Sequence, residues 1–299
     1  MDYLEIEAIC EKYGCVCRRD YELAGETTMK IGGACDLYAE PNSEECFVKL
    51  VNRCRGDGIP CFILGHGSNL LINRFGGVVI ATCSLPAGYV EDGNLITVGA
   101  GVSLSHVCLT ALGRSLSGME CLYGIPGSVG GALFMNAGAY GGEMKDVVKS
   151  ARCLNDRGEI VTINAEDMGL SYRHSVFSEN GWCILSVTFE LVPGDKLEIK
   201  RKMDELMQKR RDKQPLEYPS CGSTFKRPEG YFAAALIEEC GLKGCSVGGA
   251  QVSEKHSGFV INKGGATFED VIALVEHIKS VVRDRKGVEL ECEMLIVDG

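Results

Sequence analysis

The chain has 299 residues, of which 45% are hydrophobic, so it can bury a large core and is expected to form two or three domains. Its formal net charge of −10 argues against a surface that binds nucleic acid or an anionic membrane. No apolar run approaches the ~20 residues of a transmembrane helix, and the acidic N-terminus lacks the layout of a signal peptide, so we expect a cytoplasmic protein with no membrane partner.

The sixteen cysteines are numerous for a cytoplasmic chain. No C-x-x-C motif occurs, and the only close pair is Cys15-Val16-Cys17, so the signatures of zinc and thiol-exchange sites are missing. Most of the others lie within apolar patterns: Cys46, Cys54, Cys61, Cys108, Cys153, Cys183, Cys240 and Cys292. We therefore interpret the cysteines as free thiols that pack as small hydrophobic residues, with no metal site.

Strands, short helices and glycine turns alternate through residues 1–194, which is an α+β pattern. Ser43 is predicted to cap a helix, and Asp92-Gly93 is predicted to be a hairpin turn. The predicted helices are 2–13, 43–55 and 104–116, with a helical turn at 165–170. The predicted strands are 34–39, 60–64, 77–82, 88–91, 95–99, 147–155, 159–163 and 182–191.

Two glycine-rich segments are the most distinctive features of this half of the chain. GHGSNLL at 65–71 follows a predicted strand, and the twenty residues 124–143, GIPGSVGGALFMNAGAYGGE, include seven glycines. Glycine permits positive φ and close approach of the backbone, and successive N–H groups in such turns form a concave anion site. Each segment is therefore either an ordinary turn between strands or a cradle for a pyrophosphate.

The first segment does not fit a Rossmann fingerprint. Leu70 stands where the third glycine is required, and the acidic residue about twenty positions on, Glu91, falls in a predicted hairpin turn. His66 in this segment has three open interpretations: a covalent attachment point for a cofactor, a catalytic base, or a ring that hydrogen-bonds the backbone.

Pro193-Gly194 marks a boundary, after which the elements are longer and carry clear end signals. Thr267 and Asp270 form a predicted capping box, and Gly241 and Gly287 are predicted helix stops. The predicted helices are 196–213, 231–240 and 268–286, and the predicted strands are 260–262 and 288–297. In the last strand Glu289, Glu291 and Glu293 would share one face, which is the usual pattern of a solvated sheet face.

Seven segments, in this order along nearly the whole chain, resemble the UDP-N-acetylenolpyruvoylglucosamine reductase family. They are TTMKIGGACDLY, ILGHGSNLL, GIPGSVGGALFMNAGAYGGE, LSYRHSVF, CGSTFKRP, GAQVSEKHSGFVIN and GVELECEM. The resemblance implies an α+β fold with a two-part FAD-binding domain of the vanillyl-alcohol oxidase and p-cresol methylhydroxylase type, followed by a C-terminal α+β substrate domain. The implied boundaries are 1–82, 83–194 and 195–299.

The resemblance also implies an activity. An FAD enzyme of this kind takes hydride from NADPH and reduces a UDP-sugar enolpyruvyl ether to UDP-N-acetylmuramate for peptidoglycan, and we expect a monomer. Two departures are visible: the family usually has a smaller residue at the position of His66, and the interval between Arg173 and Ser223 has no room for the inserted loop of one branch. The chain therefore resembles the short-loop branch.

The resemblance assigns three catalytic residues. Reducing an enolpyruvyl ether creates an enolate next to the carboxylate, which must be stabilised and then protonated. Arg173 can pair with the carboxylate or the oxyanion, Glu293 enters the site, and Ser223 is the general acid. Lys226 either eases proton loss from Ser223 or contacts a diphosphate.

The remaining implied site residues fall into two sets. Those expected to bind FAD are Ile31, Gly32, Gly65, His66, Gly67, Ser68, Asn69, Leu70, Pro126, Gly127, Ser128, Gly130, Gly131, Asn136, Ala137 and Gly138. Those expected to bind substrate are Tyr172, Lys226, Gln251 and Asn262. Two alternatives remain open: another FAD-dependent oxidase on the same scaffold, which the CGSTFKRP and GVELECEM segments disfavour, and a non-catalytic nucleotide-binding protein, which the three competent catalytic positions disfavour.

Overall fold

A computed structural model describes residues 3–299, which group into two compact units. Unit 1 contains the residues up to Asp20, Asp36–His66 and Gly77–Lys209. Unit 2 contains Tyr21–Cys35, Gly67–Gly76 and Arg210–Gly299. The predicted domain boundaries at residues 82 and 194 stay predictions. Two short N-terminal segments, Tyr21–Cys35 and Gly67–Gly76, belong to the same unit as the C-terminal part of the chain.

The described residues form eight α-helices. They are α1 Leu4–Tyr13, α2 Glu44–Gly56, α3 Leu104–Gly113, α4 Val129–Phe134, α5 Phe177–Asn180, α6 Lys196–Lys213, α7 Ala233–Glu239 and α8 Phe268–Lys286. Three short 3₁₀ turns lie at Leu23–Glu26, Met144–Asp146 and Ala165–Asp167.

The strands are short, and most belong to small sheets. They are β1 Val16–Glu22, β2 Ala34–Glu40, β3 Cys61–Leu64, β4 Leu70–Ile72, β5 Phe75–Ala81, β6 Val90–Asp92, β7 Leu95–Gly99, β8 Leu116–Ser117, β9 Gly138–Ala139, β10 Gly142–Glu143, β11 Val148–Leu154, β12 Ile160–Asn164, β13 Cys183–Glu190, β14 Val192–Pro193, β15 Ser246–Val247, β16 Ala250–Val252, β17 Val260–Asn262 and β18 Leu295–Val297.

Unit 1 is built on a five-stranded antiparallel sheet of order β12-β11-β13-β7-β6. A second sheet has the order β1-β2-β5-β3, in which β3 and β5 run parallel. Helices α3 and α4 cover the first sheet through a core that includes Ile96, Val107, Leu133, Val187 and Phe189. This core fixes α4, which carries the middle of the second glycine-rich segment.

Unit 2 packs α7 and α8 against the antiparallel sheet β15-β16-β17. Its core includes Ile237, Val260, Leu274 and Ile278. Strand β18 pairs in parallel with β4, with Leu295 opposite Leu70. The chain end is thereby fixed beside the residues that follow the first glycine-rich segment.

Three predicted helices are confirmed, and one of them, α8, was predicted with capping signals at both ends. Helix α8 has the predicted bounds, its capping box joins Thr267 and Asp270, and Gly287 ends it at φ 66°. Helix α6 also has its predicted bounds. Ser43 caps α2 by accepting the Cys46 N–H at 3.3 Å.

Predictions that rested on apolar patterns alone were less accurate. Helix α3 ends at Gly113, and Leu116 belongs to β8, so the prediction 104–116 was too long. The hairpin turn lies at residues 93–94, with Asp92 still in β6. Strand β1 was missed because its sequence VCRRDYE is mostly polar and mostly exposed.

The predicted strand 288–297 was wrong over most of its length, because only Leu295–Val297 has a strand partner. Upstream, the segment makes one isolated bridge, between Cys292 and Phe225. Glu289 and Glu291 are exposed whereas Glu293 is half-buried, so the three glutamates do not form one uniform wet face.

All sixteen cysteines lie in the described part of the chain and are free thiols there. Nine are buried, and the Sγ atoms of Cys15 and Cys46 lie 3.7 Å apart. Within residues 3–299 no group of three His, Cys, Asp or Glu side chains is arranged to hold a metal ion. None of the helices described is both long and apolar enough to span a membrane.

The two glycine-rich segments of the sequence meet within unit 1. A methyl group at Gly65 would collide with the hydroxyl of Ser128 and lie 3.5 Å from its Cβ. Ser128 Oγ is held there because it accepts the Gly131 N–H at 3.2 Å and so caps α4. Only glycine at position 65 leaves room for this cap.

We therefore predict that Gly65→Ala lowers the free energy of unfolding by about 1–3 kcal/mol, the usual cost of overpacking. Ser128→Ala alone should cost ~1 kcal/mol through loss of the cap. In the double variant the colliding hydroxyl is gone, so the combined loss should be smaller than the sum. Urea titration of the four proteins measures this coupling.

Gly113→Ala is the control, because a methyl group there meets no atom within 4 Å and the residue ends helix α3. Its stability should be unchanged or slightly higher. Strict additivity of the Gly65 and Ser128 substitutions would contradict the proposed contact.

Candidate active site

The glycine-rich segment 124–143 is not a simple loop, because helix α4 occupies its centre. The N–H groups of Val129 and Gly130 donate to the carbonyls of Val102 and Ala100, each at 2.8 Å. The Gly131 N–H donates to Ser128 Oγ. These donors are used within the chain. In the turn before Ser128, the Gly124 N–H donates to Ser105 Oγ at 3.3 Å and the Ile125 N–H to the Leu122 carbonyl at 3.1 Å, and Pro126 has no N–H. Among the described residues of this turn, the N–H groups of Gly127 and Ser128 are therefore the ones suited to an anion.

That turn has the backbone conformation expected of a ligand cradle. Gly124 has φ 82° and Gly127 has φ 135°, values that side chains disfavour. Pro126 lies between them. Gly130, by contrast, is required for packing, since a methyl group there would lie 2.8 Å from Ala100 Cβ.

Asn136 holds neighbouring parts of the chain together through its side-chain hydrogen bonds. It is fully buried at φ 44°, and its amide donates at 2.8 Å both to Glu143 Oε2 and to the Ser171 carbonyl. Its Oδ1 accepts the Lys145 N–H at 2.9 Å. Asn136 thus joins the β9–β10 hairpin to the start of the turn that carries Arg173.

Arg173 sits at a strained position, with φ 55° in the two-residue turn between Ser171 and His174. Its Nη2 donates to the Gly138 carbonyl at 3.3 Å, and its guanidinium lies 5.1 Å from the Tyr172 ring centroid. Tyr172 is 44% exposed. The predicted residues Asn136, Gly138, Tyr172 and Arg173 are therefore brought together in unit 1.

Glu143 was missed by the sequence reasoning. Its ion pair with Lys145, at 2.9 Å, holds the pKa of the carboxyl below its ordinary value, and the charge of Arg173 adds to this effect. Glu143 is the only charged residue of segment 124–143, which is a signal that could have identified it. Its carboxylate and Asn136 fix the hairpin on which Arg173 rests.

His66 is half-buried, and its three interpretations stay predictions. Burial lowers the pKa of its imidazole, and the Gly101 backbone opposes this shift. Both residues belong to unit 1.

The rest of the first glycine-rich segment belongs to unit 2. Gly67, at φ 57°, packs so closely on the Glu26 carbonyl that a side chain would collide. Its own carbonyl accepts the Thr28 N–H at 3.2 Å. Gly32 is similarly confined, since a methyl group there would lie 2.7 Å from the Leu23 backbone. The predicted residues Ile31, Gly32, Gly67, Ser68, Asn69 and Leu70 therefore lie in the same unit.

Ser223 and Glu293 are also brought together in unit 2. Gly222 precedes Ser223 with φ 75°, and Thr224 is 2% exposed. The Glu293 N–H donates to the Thr224 carbonyl at 2.9 Å, so the two catalytic candidates lie on directly paired backbones. Thr224 is fixed in turn, because its Oγ1 accepts the Val260 N–H at 3.0 Å and its N–H donates to Gly258 at 2.9 Å.

Lys226 belongs to the same pairing. Its N–H donates to the Glu291 carbonyl at 2.9 Å, and its Nζ lies 3.3 Å from Glu291 Oε2. The Glu291 side chain is 76% exposed, so this ion pair contributes little to stability. The ion pair does fix the position of the Lys226 ammonium group, which belongs to the residue two positions after Thr224 in the sequence.

The other two predicted substrate residues are hydrogen-bonded within unit 2. Asn262 is buried, donates to the Met29 carbonyl at 3.2 Å and accepts the N–H groups of Gly264 and Ala266. Gln251 donates to Ser246 Oγ at 3.0 Å and accepts from Lys263 Nζ at 3.1 Å. Both side chains hold the C-terminal fold in the structure.

Two family models match the chain. Residues 35–164 match an FAD binding domain, and residues 214–297 match the C-terminal domain of UDP-N-acetylenolpyruvoylglucosamine reductase. The first match lies in the part predicted to hold FAD, and the second contains Ser223 and Glu293. The predicted α+β fold with an FAD-binding part is confirmed.

Curated relatives cover nearly the whole chain. The UDP-N-acetylenolpyruvoylglucosamine reductase of Clostridium novyi is 50% identical over 91% of this chain and 89% of its own. The reductase of Caldanaerobacter subterraneus is also 50% identical, over 91% of this chain and 90% of its own. The crystal structure of the reductase from Thermus caldophilus superposes with a TM-score of 0.81 at 33% identity, covering 95% of this chain and 99% of that one. Identity at this level over about nine-tenths of both chains establishes that the chain belongs to the UDP-N-acetylenolpyruvoylglucosamine reductase family.

Proposed function

We propose that this protein is an FAD-dependent oxidoreductase that uses NADPH to reduce the enolpyruvyl ether of UDP-N-acetylglucosamine enolpyruvate to UDP-N-acetylmuramate, a peptidoglycan precursor. The observation that supports the proposal is the hydrogen bond from the Glu293 N–H to the carbonyl of Thr224, the residue after Ser223, within the matched C-terminal domain. We further propose that it acts in the cytoplasm as a monomer, with no nucleic-acid or membrane partner.

The residues present fit a flavin nucleotide. Positive φ at Gly124 and Gly127 lets the backbone of the turn before Ser128 approach a pyrophosphate. FAD, when bound, carries the hydride between NADPH and the substrate.

The reaction defines what the protein groups must do. Hydride adds to the methylene carbon of the enolpyruvyl group, and negative charge develops on the neighbouring carbon as an enolate. Arg173 offers a planar fork of donors to the substrate carboxylate, and its strained turn and Gly138 contact preset its direction. Preorganised groups of this kind stabilise developing charge without reorganisation at the moment of reaction.

We assign Glu293 to the enolate as well, and Ser223 to the proton. Because Thr224 is buried and bonded through its N–H, its hydroxyl and its carbonyl, the backbone on which Ser223 lies cannot shift without breaking those bonds. The Lys226 ammonium, held by Glu291, is a nearby positive charge that would ease proton loss from the serine or contact the diphosphate.

The direct test of this function uses the purified wild-type protein. We expect it to be yellow and to release its flavin on acid denaturation, as a non-covalently bound cofactor does. NADPH should bleach the flavin absorbance, and the enolpyruvyl substrate should restore it with formation of UDP-N-acetylmuramate. A colourless protein that binds a UDP-sugar without turnover, or a flavoprotein reduced by an alcohol but not by NADPH, would support one of the two alternative functions.

Glu293→Gln is expected to slow only the half-reaction in which substrate restores the flavin absorbance. Loss of a preorganised charge-stabilising group typically costs about 10²–10³ in turnover. Bleaching by NADPH should keep the wild-type rate. Stopped-flow absorbance measures the two half-reactions separately, and the opposite pattern would remove Glu293 from the enolate chemistry.

The matched control for this variant is Glu289→Gln. Glu289 is exposed and lies on the same segment as Glu293. Its Oε1 atom is 4.0 Å from Nε of Arg283. Glu291 is a poorer control, because its removal would release Lys226. Glu289→Gln should leave both half-reactions unchanged.

Ser223→Ala should form the enolate but fail to protonate it. With deuterated NADPH, deuterium should then enter the methylene group of recovered substrate without net product. Ser223→Cys should restore part of the turnover, since a thiol is a better acid in nearly the same place. Full turnover by Ser223→Ala would mean that water or another residue donates the proton.

Cys221 has little effect on the serine-to-cysteine test. It is buried, its thiol donates to the Leu70 carbonyl at 3.1 Å, and burial raises its pKa to about 12. Working under reductant, with Cys221→Ala as a second background, excludes a disulfide between the two positions.

A further inference from the structure

Asn69 lies in the segment expected to bind FAD, yet in the structure its polar groups bond to the chain around Glu293. Its Nδ2 donates to the Glu293 carbonyl at 2.9 Å, and its own carbonyl accepts the Leu295 N–H at 2.9 Å. The side-chain nitrogen must face Glu293, because a carbonyl oxygen can only accept. All three residues belong to unit 2.

This contact matters because Glu293 lies just outside regular structure. Strand β18 begins at Leu295, opposite Leu70, so the parallel ladder with β4 stops short of residue 293. The Asn69 amide bonds the Glu293 carbonyl at this point. On the other side, the Glu293 N–H donates to the Thr224 carbonyl at 2.9 Å.

Both backbone groups of Glu293 are therefore fixed, one by Asn69 and one by Thr224. Ser223 directly precedes Thr224 in the sequence. The serine and the glutamate therefore belong to one hydrogen-bonded frame, made of Asn69, Ser223, Thr224 and Glu293. Asn69 bonds Glu293 through its side chain, whereas Thr224 bonds it through the backbone, so the Asn69 contact can be removed by substitution.

We propose that Asn69 is a positioning residue for Glu293, holding the glutamate backbone so that its carboxyl group meets the substrate enolate. The proposal rests on the proposed function for the role of the carboxylate, but the hydrogen bond itself does not. Since a displacement of about 1 Å in a reacting group costs up to about 10²-fold in rate, loss of this donor should affect one half-reaction selectively.

The experiment compares Asn69→Ala and Asn69→Asp with Asn73→Ala. Asn73 is a matched control, because its side chain also joins this segment to the chain end, donating to Asp298 Oδ1 at 3.0 Å, but beyond β18 and in an exposed place. Asn69→Asp keeps the shape of the side chain, removes the donor and sets an acceptor against the Glu293 carbonyl.

In stopped flow, we expect both Asn69 variants to slow the substrate half-reaction about 10- to 100-fold, with Asn69→Asp at least as slow as Asn69→Ala. The rate of bleaching by NADPH, the flavin content and the KM for substrate should stay within about twofold of wild type. Asn73→Ala should match wild type in all four. A substrate half-reaction equal to that of Asn73→Ala would overturn the proposal, and so would loss of flavin, which would make Asn69 a flavin ligand instead.

Hydrogen exchange gives a readout that does not depend on turnover. The N–H groups of Glu293 and Leu295 should exchange faster in Asn69→Ala than in Asn73→Ala, and unchanged exchange would contradict the frame itself. If wild type shows no turnover but the exchange difference is present, the proposed function fails while the frame stands.

Discussion

Pairing of buried backbone groups outside helices and strands is the constraint on which this structure depends. An unpaired N–H or carbonyl in the interior costs about 1–3 kcal/mol, and the candidate site is built largely from irregular segments. Polar side chains supply the missing partners: Asn136 for Ser171, Thr224 for Val260, and Asn262 for Met29, Gly264 and Ala266. Each is buried, so each fixes one conformation of its segment.

This arrangement explains why several residues expected to touch a ligand are bonded to protein instead. The amide of Asn136 and the hydroxyl of Ser128 are consumed in holding the hairpin and helix around them. These two side chains contribute to a site indirectly, because they fix the conformation of the backbone. In a glycine-rich cradle it is the backbone that contacts the ligand. The same reasoning separates the glycines: Gly124 and Gly127 have the φ values of a cradle, whereas Gly65 and Gly130 are required because side chains would collide there.

The two units hold different parts of the proposed chemistry. In unit 1, Arg173 is held in position by its strained turn, by its hydrogen bond to the Gly138 carbonyl and by the hydrogen bond from Asn136 to the start of that turn. Glu143 is an acidic neighbour whose pKa the charge of Arg173 helps to lower. Unit 2 presets Ser223 and Glu293 through direct backbone pairing. In each case the proposed catalytic side chain is carried by an irregular segment whose backbone is bonded at several points, which would give a loop the rigidity that catalysis requires.

The sequence by itself determined the features that depend on local chemistry. Capping residues at both ends gave α8 its bounds, and ordered motifs identified the family, because these signals are contained within a few neighbouring residues. Only the tertiary structure decided that residues 288–294 are not a strand, that α4 interrupts the glycine-rich segment, and that Asn69 bonds to Glu293. Those outcomes depend on partners far away along the chain, and the pattern of a single segment contains no information about which distant carbonyl or N–H group it will meet.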